Sequence, residues 1–147
     1  EDDVYPFWDV FCQKLESKNS YQRSIGARLI AANVQWDSEN KIDSAINDYL
    51  KILDDEKPVT VRQGIQSLRN VVPFKTDLHQ IIARKLMSMD ITEVKPTMRK
   101  LVLIDILNVL VLIRRHQTSE GIDAYILKAL TGGLLDKKSI KHIEMML

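Results

Sequence analysis

The chain has 147 residues, 45% apolar and 28% charged. That is one domain's length, with enough apolar material to bury roughly 70% of the surface of an unfolded chain, so intrinsic disorder is excluded. Basic residues number 21 and acidic ones 20, for a net charge of +1, and the single Cys12 excludes a disulfide scaffold.

Apolar residues recur with helical period from the start. Val4, Phe7, Trp8, Phe11 and Leu15 share one face, which predicts a helix over 4–16 with Pro6 in its first turn. A second helix, 20–33, follows Asn19 or Ser20 as N-cap. Asp37 or Ser38 then caps a third, 38–53, whose stripe is Ile42, Ala45, Ile46, Tyr49, Leu50 and Leu53. Pro58 opens a fourth over 58–72, and Pro73 ends it, because a residue preceding proline avoids the helical region. Thr76 caps a fifth, 77–89, with Leu78, Ile81, Ile82, Leu86 and Met89 on one face. Pro96 starts a sixth, 96–115. Ser119 and Asp136 cap the last two, 121–131 and 136–146, separated by Gly132 and Gly133. No stretch alternates with period 2, so an all-α single domain is expected, with helical pairs at 4–33, 38–72, 77–115 and 121–147. The sixth helix stands apart: between Leu101 and Ile113, 11 of 13 residues are apolar. Such a helix needs cover on more than one side, and the last pair is expected to supply it as a cap.

Several chemistries find no support in the residues. Cys12, His79, His116 and His142 are too few and too scattered for a zinc cage, so neither metal nor cofactor is expected. The 13 residues 101–113 are too short and too polar to span a bilayer, which takes about 20. Gly132-Gly133 follows no strand, so there is no dinucleotide fingerprint, and no phosphate loop occurs. Cys12 lies beside Phe11 and is expected to be a small core residue. One cysteine also fits a reducing compartment, and a cytoplasmic location is expected. Residues 1–57 carry a net charge of −5 and residues 58–147 one of +6, an asymmetry able to orient a charged partner. The basic residues Arg114, Arg115, Lys137, Lys138 and Lys141, with His116 and His142, make nucleic acid the alternative partner, although the pI of 8.1 is low for that role.

The spacing of the pairs is the most informative feature. Pro58 and Pro96 are 38 residues apart, and Arg23, Arg62 and Arg99 recur near the starts of the second, fourth and sixth helices. A period near 40 in helical pairs signifies an α-solenoid. The segment Tyr49 to Arg62, with Asp54-Asp55 in the turn and Pro58-Val59-Thr60-Val61-Arg62 opening the next helix, resembles a HEAT repeat. The match is looser over 77–113 and 4–33, and residues 121–147 carry no repeat signature. Trp36-Asp37, Asn40-Lys41-Ile42-Asp43, Glu56-Lys57-Pro58 and Arg62-Gln63 are also similar to small bacterial HEAT-like proteins labelled SufBD-like.

That resemblance implies a right-handed superhelix of about eight helices in four antiparallel pairs. It also implies an arginine ladder between stacked repeats, made of Arg23, Arg62 and Arg99. Asp55 would answer Arg62, Glu93 would answer Arg99, and Ser17 would face Arg23. The function it implies is non-enzymatic: a protein-binding scaffold that works through its concave face as a monomer. Gln63, Gln66, Ser67 and Asn70 share one polar stripe of the fourth helix and, with Arg69, are the expected partner surface. The alternative is nucleic-acid binding or base excision by a HEAT-like glycosylase, for which Trp36-Asp37 would supply an aromatic residue and an acid. The other reading makes Asp37 a helix cap. Asp105 in the apolar sixth helix is either a paired structural carboxylate or a general base.

Overall fold

A computed structural model describes residues 3–147. Among them are eight α-helices and no strand: α1 (Trp8–Lys14), α2 (Ser20–Asn33), α3 (Lys41–Leu50), α4 (Pro58–Ser67), α5 (His79–Ser88), α6 (Arg99–His116), α7 (Glu120–Thr131) and α8 (Lys137–Met146). Five of the eight are shorter than the periodicity suggests because 3₁₀ turns replace their outer residues. Tyr5–Phe7 leads into α1, Lys51–Asp54 ends α3, Leu68–Asn70 ends α4, and Pro96–Met98 leads into α6. A 3₁₀ turn keeps side chains near their helical direction while tightening the backbone, so the apolar stripe continues past the α-helical bonds.

The chain divides into two compact units, Glu1–Leu78 and His79–Leu147. The division falls two residues into the third of the expected pairs, 77–115.

In the first unit α1 packs on α2 and α3, and α2 packs on α4, so like helices of the two pairs lie side by side. Trp8, Ile30, Ile42, Tyr49, Ile65 and Leu68 fill the space between them. The closest approach is at Gly26, where an added Cβ would stand 2.8 Å from the Phe11 carbonyl oxygen and from the Lys14 Cβ. Only a residue without a side chain lets α1 and α2 meet there. Polar ties lock the same elements. Arg23 grips Asp55 through two bonds, Nε to Oδ2 at 2.6 Å and Nη2 to Oδ1 at 3.0 Å, and donates a third to the Ser17 carbonyl at 2.9 Å. This corrects the expected offset: Asp55 answers the arginine of the preceding pair, Arg23, where the repeat pattern assigned it to Arg62. Burial works against the Asp55 carboxylate, yet the Arg23 guanidinium and the Lys57 amide hold its pKa below the usual range. The Ser24 hydroxyl donates to the Thr60 hydroxyl at 3.3 Å, and the Tyr49 hydroxyl donates to the Gly64 carbonyl at 2.7 Å.

The start of α3 also differs from the sequence reading. The helix begins three residues later than expected, with Asn40 at the N-cap position in the left-handed region at φ 55° and with no capping bond from its own side chain. Asparagine tolerates that region better than most residues. The Asn40 side chain accepts from Lys75 at 3.0 Å, and Lys75 also faces Asp43 at 3.2 Å. Thr76 opens a 3₁₀ turn, Thr76–Leu78, three residues ahead of α5. Asn19, Ser119 and Asp136 cap α2, α7 and α8 as the sequence suggests.

In the second unit α6 is the central helix, with α5, α7 and α8 packed on it. Nine of its 18 residues are buried. Ile122 and Ile126 of α7 and Ile143 of α8 are buried as well. Arg99 donates to the backbone carbonyls of Val94 at 2.8 Å and Thr92 at 2.6 Å, so it braces the turn preceding its own helix. Glu93, the partner the repeat pattern offered it, is exposed. At the other end, Asp136 accepts from the Ser139 amide at 3.1 Å and meets Lys100 at 3.2 Å.

Two measurements check this packing. Gly26→Ala should lower stability by about 1–3 kcal/mol, because backbone on the facing helix cannot give way. Gly121→Ala meets only the Ser119 Oγ at 3.7 Å, so thermal melts should show no loss and a gain of up to about 0.5 kcal/mol from helix propensity. The second concerns acid. Bonds from Ser139 and Lys100 hold the Asp136 pKa at about 2, below its unfolded value of about 4. The unfolded chain therefore binds more protons between those values, and the contribution of Asp136, complete above pH about 4, is lost as pH falls toward about 2. Asp136→Asn, which cannot titrate, should flatten that part of the stability profile in acid titrations followed by circular dichroism.

Candidate functional site

The sequence reading put the partner surface on α4. The structure places Ser67 inside the fold at 8% exposure, with Gln63 and Gln66 half-buried. Arg69 and Asn70 are exposed, in the 3₁₀ turn that ends the helix. Ser67 shares the buried face of α4 with Thr60 and Gly64, at i, i+4 and i+7, so it is not exposed on the polar stripe.

A different site lies in the second unit. Gln80, Ala83, Arg84 and Met87 recur along α5 at i, i+3, i+4 and i+7, so they form one face of that helix. The core stripe of α5 uses the neighbouring positions Ile82 and Leu86, both fully buried. With His79, the first face makes one wall of an open cleft of about 460 Å³. The connection Gln117-Thr118-Ser119 and the first turn of α7, through Ile122, make the opposite wall, and Ile113 of α6 lies between them. Three apolar helices crowd around one central helix, and a three-residue link brings α7 back beside it. The space left where α5 and that link stand apart is the cleft.

Its chemistry is mixed. Ala83, Met87, Ile113 and Ile122 are apolar. His79, Gln80, Arg84, Gln117, Thr118 and Ser119 are polar, and of the ten lining side chains Arg84 carries the one formal charge. His79 is 6% exposed and meets His116 edge-on, with ring centroids 5.1 Å apart and planes at 75°. The His116 Nδ1 lies 3.0 Å from the Leu112 carbonyl, which can only accept, so Nδ1 carries the proton and Nε2 is left for other partners. Ser119 spends its hydroxyl on capping α7. The cleft can hold a ligand with an aliphatic body and polar or anionic groups. The i, i+3, i+4, i+7 spacing was available in the sequence, but the stronger apolar stripe beside it drew the reading of α5 toward the core.

The remaining candidates resolve into structure. Asp37 is buried and accepts from the Tyr5 hydroxyl and from the amides of Lys41 and Ile42, each at 2.8 Å. It thus caps α3 from outside the helix. Burial, then the bond to Asp37, pushes the Tyr5 hydroxyl pKa up to about 12. Tyr5 also meets the Trp8 ring edge-on and receives the Lys41 ammonium at 4.9 Å from its centroid. Trp36 is half-buried beside this cluster in sequence. The Cys12 thiol is half-buried, and burial followed by the Asp9 charge raises its pKa, the reverse of what activates a nucleophile. Asp105 is buried in α6 and engaged by a partner. Arg114 pairs with Asp123 of α7 at 2.6 Å, and Arg115 donates to the Met146 carbonyl of α8 at 3.0 Å. Among the described residues, no three His, Cys, Asp or Glu side chains are placed to hold a metal ion, and no helix is long and apolar enough to cross a membrane. No family model, no curated protein and no solved structure matches this chain.

The role given to Asp37 is open to measurement. Asp37→Ala strands the Tyr5 hydroxyl and two amides, and urea titrations should show a loss of about 2 kcal/mol or more. Ser38→Ala, on the exposed neighbour, should stay within about 0.5 kcal/mol of the parent.

Proposed function

We propose that the chain is a non-enzymatic protein-interaction domain of HEAT-like helical pairs, which seats a segment of its partner in the cleft between α5, α6 and α7. The open cleft carries this reading. Its 460 Å³ is within the range of ligand-binding clefts, and its lining combines an apolar floor with a few convergent polar groups. One wall is a face of α5, which packs on α6, and a wall built on a packed helix lowers the entropy cost of binding. The HEAT-like assignment is supported within the first unit. There α1 and α3, and α2 and α4, lie side by side, and Arg23 of one pair holds Asp55 in the turn of the next. Helical-repeat proteins present partner surfaces on frames of this kind. Arg69 and Asn70 at the end of α4 offer a smaller exposed patch.

The test is affinity capture with three forms of the chain. The parent and Asn70→Trp should retain the same protein in a saturable way, and Gln80→Trp, which fills the cleft from an exposed helical position, should lose it. Loss with Asn70→Trp and retention with Gln80→Trp would move the site to α4. Retention of DNA that falls steeply with salt, with no protein captured, would replace this function by nucleic-acid binding.

A further inference from the structure

We infer that the occupant of the cleft is an acidic, aliphatic peptide segment. An Asp or Glu carboxylate would lie against Arg84, and a neighbouring Leu, Ile or Met side chain would lie on Ala83, Met87, Ile113 and Ile122. This rests on the cleft being the partner site and adds the chemistry of what enters it.

Charge selects the first half of that description. None of the ten lining side chains is acidic, and Arg84 supplies a full positive charge from an exposed position on α5. The acid nearest in sequence is Glu120, exposed at the start of α7, and the next, Asp123, is already paired with Arg114. The unit as a whole, His79–Leu147, carries 11 basic and 7 acidic side chains, net +4. A carboxylate approaching this cleft therefore meets attraction at long range and a guanidinium at contact, which is the arrangement that raises association rate and excludes basic competitors. Arginine also offers a planar fork matched to a carboxylate.

The floor selects the second half. Two isoleucines, an alanine and a methionine make a surface for aliphatic side chains, and the unbranched thioether of Met87 adapts to different shapes. Single-stranded nucleic acid needs aromatic faces on which bases stack, and the only ring on the lining, His79, is already covered edge-on by His116. The Gln80 and Gln117 amides and the Thr118 hydroxyl around the apolar floor both donate and accept, which suits the alternating carbonyl and amide groups of a peptide backbone.

The experiment is selection of random dodecapeptides on phage against the full chain, followed by affinity measurement of the enriched peptides on the parent, Arg84→Glu and Gln80→Trp. Both positions are exposed, and circular dichroism would confirm that the variants are folded. Enriched peptides should carry Asp or Glu next to Leu, Ile or Met. Gln80→Trp should abolish their binding, Arg84→Glu should weaken it about fivefold or more, and added salt should weaken it further. Enriched peptides that are neutral or basic, yet lose binding to Gln80→Trp, would overturn the acidic assignment and leave the cleft as the partner site. Peptides that bind Gln80→Trp as well as the parent, or a selection with no enrichment, would overturn both.

Discussion

The second unit is organised by one requirement, that α6 be covered. Over Arg99–His116 the helix buries Val102, Leu103, Ile106, Leu107, Val109, Leu110, Val111 and Ile113 together with Asp105, a set that reaches round most of its circumference. A helix of that kind gains stability only where neighbours exclude water from several sides. α5, α7 and α8 all pack on it, with Ile122 and Ile126 of α7 and Ile143 of α8 buried. The requirement also creates the cleft. Helices around a common centre cannot close every gap at their ends, and at the Ile113 end the gap is bounded by α5 and the link 117–119.

The first unit follows a different economy, in which a few buried polar side chains each satisfy several partners. Asp37 takes three donors, Asp55 takes two from Arg23 and one from Lys57, and Lys75 meets Asp43 and Asn40. A desolvated charge is tolerable only when its bonding capacity is filled, so each of these residues fixes two or three chain segments at once. Asp37, the acid of the glycosylase alternative, is spent in this way. Gly26 serves the same end without polarity, by letting two backbones touch.

Arg23, Lys75, Lys100, Arg114 and Arg115 are committed to internal contacts. Arg84 stands on a cleft wall instead. Under the proposed function the cleft is the place for recognition, because a cation on the lip of an apolar cleft acts next to a low-dielectric surface.

Periodicity alone determined the helices, because the apolar stripes, the prolines at first turns and the capping residues Asn19, Ser119 and Asp136 are local signals with local causes. It also marked α6 as a helix needing cover on several sides, from eleven apolar residues in thirteen. What the sequence left open depended on contacts between distant segments. The choice of Arg23 as the partner of Asp55 required knowing which pair stacks on which, since the two residues are 32 apart and any arginine of the series had the right chemistry. The capping of α3 by Asp37 from outside the helix, with Asn40 at φ 55°, depended on Tyr5 and Lys75 arriving from elsewhere in the chain. Ser67 lost its place on the partner surface because it continues the buried line of small residues Thr60 and Gly64 at i, i+4 and i+7, a line whose burial depends on the helices that pack against it. The cleft itself is empty space between three elements. A sequence specifies which side chains each helix carries, but the volume left between helices is set by how closely they pack.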